Sequence, residues 1–185
     1  MTIGIVLLGI GAGLILAAIV AYNGLVRKRQ EVKSAWSQID VQLKRRHDLI
    51  PNLVESVKGY LNHERQTLEN VTKARSQAMS ASGLPEKAQA ENLLTQTLRS
   101  LFALVERYPD LKANQNVLKL QEELTSTENR ISFARQFYND QAARLNTAIE
   151  SVPVNLIAGI GGFAKAEFFQ LEDLREREVP GVKLS

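Results

Sequence analysis

The chain has 185 residues, which is enough for one domain of ordinary size with a membrane anchor but too few for two domains with separate cores. Its 23 Lys and Arg residues nearly balance its 20 Asp and Glu residues, so the net charge of +3 is weak evidence for any anionic partner. Cysteine is absent, which excludes disulfides, thiolate metal sites, cysteine nucleophiles and a lipid-bearing cysteine.

The first 25 residues have the pattern of a membrane anchor. Nineteen consecutive residues from Ile3 to Ala21 carry no charge and no strong polar group. A helix of that length rises about 28 Å, close to the hydrocarbon thickness of a bilayer. A cleaved signal peptide is the alternative, but no basic residue precedes the apolar run and no Ala-x-Ala precedes Tyr22. We therefore predict an uncleaved anchor over residues 1–25 that contacts the lipid bilayer through residues 3–21.

The charges around this segment predict its orientation. Arg27, Lys28 and Arg29 follow the apolar run directly, whereas Met1 and Thr2 carry no basic side chain. Basic residues next to a membrane span are retained on the cytoplasmic side. The sequence predicts a single-pass protein of the cell membrane, with a short N-terminus outside and the C-terminal domain in the cytoplasm.

Small residues recur every fourth position within the apolar segment. Gly9, Gly13, Ala17 and Ala21 would form one stripe on a helix, and such stripes permit close contact between membrane helices. Gly and Ala are also common in membrane helices that do not associate. We interpret the stripe as a candidate site of helix association.

The helical pattern continues beyond the anchor. Apolar residues follow at spacings of three and four at Val32, Trp36, Ile39 and Leu43. Asp48 is a candidate N-cap with Pro51 in the following turn, which predicts a break or kink near residues 47–50. The next apolar stripe follows a heptad seam and comprises Ile50, Val54, Val57, Leu61, Leu68, Val71 and Ala78.

Two further helices are predicted after the loop at residues 80–85. The third runs from about Glu86 to Arg107 and ends before Pro109, and the fourth runs from about Asn114 to Ser151. We predict an all-α fold in which the N-terminal transmembrane helix continues into an antiparallel up-and-down bundle of about four long helices over residues 26–151, with coiled-coil-like packing.

Residues 152–185 form a tail that is apolar at first and charged at its end. Six large apolar side chains of the first part are candidate contact residues. Three different surfaces would cover these side chains: the bundle, a neighbouring subunit or the membrane interface. These residues are Leu156, Ile157, Ile160, Phe163, Phe168 and Phe169.

Three long stretches of the chain resemble the LemA family of bacterial membrane proteins. They are AYNGLVRKRQEVKSAWSQIDVQLKRRHDLIPNLVESVKGY at residues 21–60, YPDLKANQNVLKLQEELTSTENRISFARQFYND at residues 108–140, and VPVNLIAGIGGF at residues 152–163. The resemblance covers essentially the whole length. It implies a short N-terminal anchor and a helical-bundle domain, and it provides no catalytic residues to carry over.

No arrangement of residues in the sequence indicates an enzyme. His47 and His63 are sixteen positions apart, so one continuous helix would place them on nearly opposite faces, and no HExxH pattern occurs. The acidic clusters have basic residues nearby and are typical of solvated helix faces. We therefore expect no catalytic residue, no metal site and no cofactor.

Residues able to form directional hydrogen bonds cluster around the predicted break or kink and in the fourth helix. Partly buried polar groups of this kind fix register or form contacts between subunits. We therefore hypothesise a non-enzymatic, self-assembling scaffold at the membrane, with no nucleic-acid partner. The alternative is an accessory or adaptor subunit that binds a membrane enzyme or transporter through the apolar tail. The cluster comprises Gln38, Asp40, Gln42, Arg46, Asp48, Asn52, Glu55, Glu122, Thr127, Asn129 and Arg130.

Overall fold

A computed structural model describes residues 2–61 and 64–169, and every regular element within them is an α-helix. The prediction of an all-α fold is confirmed. The described part divides into two compact units, of which the first comprises residues 2–46 and 125–168 and the second residues 47–124 with Phe169. The helices are α1 Thr2–Lys58, α2 Arg65–Ser80, α3 Leu84–Val105, α4 Pro109–Lys112, α5 Gln115–Glu150 and α6 Val154–Ile160.

Helix α1 begins with the apolar segment. Among the described residues, it is the one helix long and apolar enough to cross a membrane, and no part of its most apolar stretch is buried against the rest of the chain. Leu8 and Leu14, for example, are 76% and 67% exposed. Side chains of this kind are stable in such a position only when a bilayer or another apolar surface covers them.

The predicted break at residues 47–50 is wrong, because α1 continues through Pro51 to Lys58. Proline has no backbone N–H, so the carbonyl of His47, four residues earlier, loses its usual helical donor. Arg75 of α2 replaces that donor, since its Nε donates to His47 O at 2.7 Å. The helix therefore passes the proline with this carbonyl still hydrogen-bonded, and it ends at Lys58 instead.

Helices α2 and α3 pack against each other in the second unit. Three residues join them, and Gly83 in this loop has φ +81°, a left-handed conformation that favours glycine. The loop predicted at residues 80–85 is therefore confirmed. The core of this unit is aliphatic and consists of Ile50, Leu53, Val57, Leu61, Leu68, Val71, Ala74, Ala78, Leu94, Leu98, Leu101, Leu104, Val105, Leu111, Val117 and Leu124.

The two later predicted helices are confirmed, with ends within two residues of those expected. Helix α3 ends at Val105, and the Tyr108-Pro109-Asp110 sequence begins the short α4. Asn114 caps α5, because its Oδ1 accepts hydrogen bonds from the N–H groups of Asn116 and Val117 at 3.0 and 3.3 Å.

In the first unit, α1 and α5 run in opposite directions. Arg46 pairs with Glu128, and the Trp36 and Tyr138 rings meet edge to face with centroids 5.6 Å apart. Between these two contacts the residue number falls by ten along α1 and rises by ten along α5. The buried apolar residues of this unit are Leu25, Val32, Ala35, Ile39, Leu43, Ile131, Ala134, Tyr138, Ala142, Leu145, Ala158 and Phe163.

Residues 163–168, here called the return segment, follow α6 and lie along α5. Asn146 makes two hydrogen bonds with Ala166, one to its carbonyl at 2.9 Å and one from its N–H at 2.8 Å. The Tyr138 hydroxyl donates to Glu167 O at 2.9 Å. Gly162 has φ +65°, and a Cβ at Gly161 would lie 2.7 Å from the Phe163 ring. The two glycines therefore permit the reversal that brings the chain back.

Candidate interaction site

A groove of about 550 Å³ opens between α1 and α5 within the first unit. Its apolar side chains are exposed: Phe133 is 72%, Val41 63% and Phe137 44% accessible. Large apolar side chains that lie together on a surface mark sites of protein or membrane contact. The groove is lined by Ser34, Ser37, Gln38, Val41, Gln42, Arg130, Phe133, Ala134 and Phe137.

Three residues of the predicted polar cluster border this groove: Gln38, Gln42 and Arg130. The Gln42 side-chain oxygen is inaccessible, and no group in the described part of the chain donates a hydrogen bond to it. A buried amide oxygen without a donor costs free energy, and a partner that supplies a donor would recover it. The combination of an apolar floor and a polar border is typical of protein interfaces.

The three large apolar residues of the groove were missed from the sequence. Phe133 and Phe137 lie four positions apart on α5, so they share one helix face, but that face is offset from the buried stripe that contains Ala134 and Tyr138. Two aromatic residues at this spacing, outside the buried stripe, are the sequence signal that could have indicated an exposed apolar face. Both are far more exposed than the stripe residues around them.

The second unit contains another groove, of about 640 Å³, between the end of α1 and α2. Its apolar floor includes Leu61 and Leu68, which are only 1% and 7% exposed. Charged side chains surround this floor, namely Glu55, Lys58, Arg65, Glu69 and Lys73. This groove is bordered by charge, whereas the α1/α5 groove exposes two phenylalanines, a residue type enriched at protein interfaces. The α1/α5 groove is therefore the better candidate for a contact site.

The structure separates the candidate contact residues of the tail into two groups. Phe163 and Phe169 are buried within the chain, and Ile157 is half-buried. Leu156, Ile160 and Phe168 remain 66%, 88% and 48% exposed. The charged end of the tail, residues 170–185, lies outside the described residues.

The small-residue stripe lies on the uncovered part of α1. Gly9, Gly13 and Ala17 are exposed and Ala21 is half-buried. A Cβ added at Gly9 or Gly13 would meet no atom within 4 Å. Among residues 2–61 and 64–169, none occupies the stripe at these two glycines, so it is accessible to another membrane helix.

A buried ion pair in the first unit and a histidine–carboxylate contact in the second unit each connect two helices. In the first, Arg46, which is fully buried, pairs with Glu128. In the second, His47 Nε2 lies 2.9 Å from Oε1 of the buried Glu91. Breaking the Arg46–Glu128 pair would leave a buried charge without its partner, so this pair fixes the packing of α1 against α5. Among residues 2–61 and 64–169, no three His, Asp or Glu side chains converge as metal ligands, and His63 lies outside these ranges.

Within the described part of the chain, Tyr138 and Lys112 have raised pKa values. Burial, together with the nearby Glu167 carboxylate, raises the pKa of the Tyr138 phenol above its ordinary value. A hydrogen bond and charge attraction to Glu106, at an N–O distance of 2.8 Å, raise the pKa of Lys112. Both shifts keep these groups in the protonated form that they already have at neutral pH, so neither indicates a catalytic acid or base.

Residues 35–184 match the model of the LemA family. Protein LemA of Metamycoplasma hominis is 29% identical, over 88% of this chain and 74% of that protein. Magnetosome protein MamQ 2 of Paramagnetospirillum magneticum and magnetosome protein MamQ of Magnetospirillum gryphiswaldense are 26% and 25% identical, over 80% of this chain. The chain spans 64% of the length of each of these two magnetosome proteins. None of these names states an enzymatic activity.

Proposed function

Because the chain belongs to the LemA family and is a membrane-associated helical protein, we propose that it is a non-enzymatic scaffold that assembles with copies of itself at the cell membrane. In this proposal residues 1–25 are a single-pass anchor, residues 26–151 form the cytoplasmic helical domain and residues 152–185 form its tail. The exposed groove between α1 and α5 is the observation that carries the proposal.

The groove favours a second copy of the chain as its occupant. Val41 lies twenty residues beyond Ala21 on the continuous α1, so the groove stands about 30 Å above the apolar segment. An anchor confines all copies to one surface in one orientation, which raises the local concentration of grooves facing one another. Two copies related by a twofold axis would bury Phe133 and Phe137 symmetrically. The accessible stripe at Gly9 and Gly13 provides a second contact within the membrane.

The mass of the protein in mild detergent tests this proposal. The full-length chain is expected to form a defined oligomer, and a shortened form that begins at Arg27 is expected to be monomeric or much smaller. Phe133→Glu places a charge in the groove and should reduce the oligomer mass. Met79→Glu is the matched control, because Met79 is also exposed, at 57%, but lies on α2 outside the groove. If the full-length and shortened forms are both monomers, self-assembly is not the function.

An adaptor for a membrane enzyme or transporter is the competing role. It would use the same exposed groove to bind a different protein. In that case Phe133→Glu would leave the mass of the purified protein unchanged, and a photo-crosslinking residue at position 133 would capture a different polypeptide in cell membranes. Crosslinking between copies of this chain would instead support the scaffold.

A further inference from the structure

An uncharged segment begins after α5 and extends into the first two residues of the return segment. Fourteen residues, from Ser151 to Ala164, contain neither an acidic nor a basic side chain. The charged residues on either side of them, Glu150 and Lys165, pair with each other. This uncharged turn exposes three large aliphatic side chains, since Val152, Leu156 and Ile160 are 81%, 66% and 88% accessible.

The pairing of α1 with α5 determines the level of this turn along α1. The pairs Arg46–Glu128 and Trp36–Tyr138 show that α5 approaches the N-terminal part of α1 as its numbering rises. Near the end of α5, Lys28 lines one shallow depression together with Thr147 and Ser151. The uncharged turn therefore lies beside the residues of α1 that follow the apolar segment.

The contacts of Phe163 also place the uncharged turn beside the part of α1 that follows the apolar segment. Its ring meets the Tyr22 ring edge to face, with centroids 5.5 Å apart. The Arg29 guanidinium lies over the same ring, 5.0 Å from its centroid. Tyr22 is the first residue after the apolar run 3–21, and tyrosine and arginine next to a span lie among the lipid headgroups.

We propose that the uncharged turn is a second membrane contact, which inserts Val152, Leu156 and Ile160 into the interfacial layer of the bilayer on the side of the helical domain. The proposal requires residues 3–21 to cross the membrane. Given that crossing, the turn lies at the depth of the headgroups, and burying its aliphatic side chains involves no charge that must lose its hydration. Arg27 and Arg29 lie at the same level and attract anionic headgroups.

Insertion of the turn would fix the orientation of the first unit. A single helix leaves a domain free to tilt and rotate about the anchor. With the end of α5 also held at the bilayer, the α1/α5 pair is attached at two points. Copies of the chain would then present their grooves at one height and one tilt.

Fluorescence of a dye that senses polarity tests the contact in the full-length protein. The chain has no cysteine, so single substitutions Leu156→Cys and Ile160→Cys allow labelling at the turn. Both side chains are exposed, and unchanged circular dichroism would verify folding. The labelled proteins are placed in vesicles of phosphatidylcholine and phosphatidylglycerol, either without a quencher or with lipids that carry a nitroxide at the headgroup level or near the bilayer centre. Lys44→Cys, exposed and farther along α1, is the control beyond the membrane, and Leu14→Cys is the control within it.

A blue-shifted emission and a quencher-dependent loss of intensity at positions 156 and 160, but not at position 44, are the expected results. Emission at 156 and 160 like that at 44 overturns the proposal, and so does a blue shift without quenching, which would show burial against protein. Quenching at position 14 distinguishes the causes of failure. If the central nitroxide quenches position 14 and neither nitroxide quenches the turn, residues 3–21 cross the membrane but the turn does not contact it. If the central nitroxide does not quench position 14, the apolar segment does not cross.

Discussion

Asn146 shows how one side chain holds an extended segment. Its amide acts like a neighbouring strand, because it both donates to and accepts from the backbone of Ala166. Together with the hydrogen bond of Tyr138 to Glu167, the Glu150–Lys165 pair and the ring contacts of Phe163, these two bonds hold the return segment beside α5. Side chains that replace backbone partners in this way satisfy groups that secondary structure leaves open.

Asn146→Ala is expected to lower the free energy of unfolding by about 1–3 kcal/mol, because two partly buried backbone groups of Ala166 lose their partners. The return segment should also become more sensitive to proteolysis. Thermal and denaturant unfolding in detergent measure the first effect, and mass spectrometry of limited digests locates the second. Thr147→Ala, an exposed change on the next residue, is the control. Equal stability and equal digestion of the two variants would contradict the role given to Asn146.

The raised pKa of Tyr138 predicts that the folded chain becomes less stable at alkaline pH. The pKa of its phenol is raised by burial and by Glu167, so the folded chain holds this proton more tightly than the unfolded chain. The resulting stabilisation is fully present below a pH of about 10, the ordinary value for tyrosine, and is lost as the pH rises through the raised pKa of the folded state. The lost hydrogen bond to Glu167 adds to this effect once the phenol ionises.

Tyr138→Phe isolates this contribution from that of other ionising groups. The variant keeps the ring that packs on Trp36 but has no proton to lose. It is expected to be less stable than the natural chain at neutral pH, by about 1 kcal/mol for one hydrogen bond, and the difference should shrink at strongly alkaline pH. Unfolding curves of both chains across this range provide the comparison. A constant difference at every pH would refute the prediction.

At the scale of the helices, Pro51 and Arg75 are expected to act as a pair. Arg75→Met removes the donor to His47 O and should cost about 1.5–3 kcal/mol, the range for a hydrogen bond to a charged group. Pro51→Ala restores a backbone N–H four residues after His47, so His47 O regains a helical donor. Arg75→Met should then cost much less in the Pro51→Ala background.

The coupling energy between these two positions is measured by unfolding the natural chain, both single variants and the double variant. Arg99→Met is a suitable control, because Arg99 is exposed on α3 and is expected to show no coupling to position 51. Additive costs for Arg75→Met and Pro51→Ala would mean that the arginine does not replace the missing helical donor.

The continuity of α1 also shows where sequence patterns stop being informative. The ends of α3 and α5 could be predicted, because an apolar stripe and the local signals of Asn114, Gly83 and Pro109 define them. The passage through Pro51 could not, since the replacing donor comes from Arg75, on another helix. The groove could not be predicted either. Periodicity places Phe133 and Phe137 on one face of a helix but does not tell whether a neighbouring helix covers that face. Only the polar border, Gln38 with Gln42 and Arg130, was anticipated.

At the scale of the whole molecule, the orientation in the membrane determines on which side the helical domain lies. The basic residues Arg27, Lys28 and Arg29 predict a cytoplasmic domain, and the groove and the uncharged turn then also belong to the cytoplasmic side. An exposed cysteine in the domain should be protected from a reagent that cannot cross the membrane. The absence of natural cysteines makes each single substitution unambiguous.

Lys44→Cys and Met79→Cys, both at exposed positions, are therefore expected to react with a membrane-impermeant maleimide only after spheroplasts are lysed. Thr2→Cys, before the apolar segment, is expected to react in intact spheroplasts. The opposite pattern would place the domain outside the cell and would overturn the orientation while leaving the span intact. Reaction of all three positions before lysis would show that the apolar segment does not separate two compartments. The scaffold would then have to assemble without a membrane to align its copies.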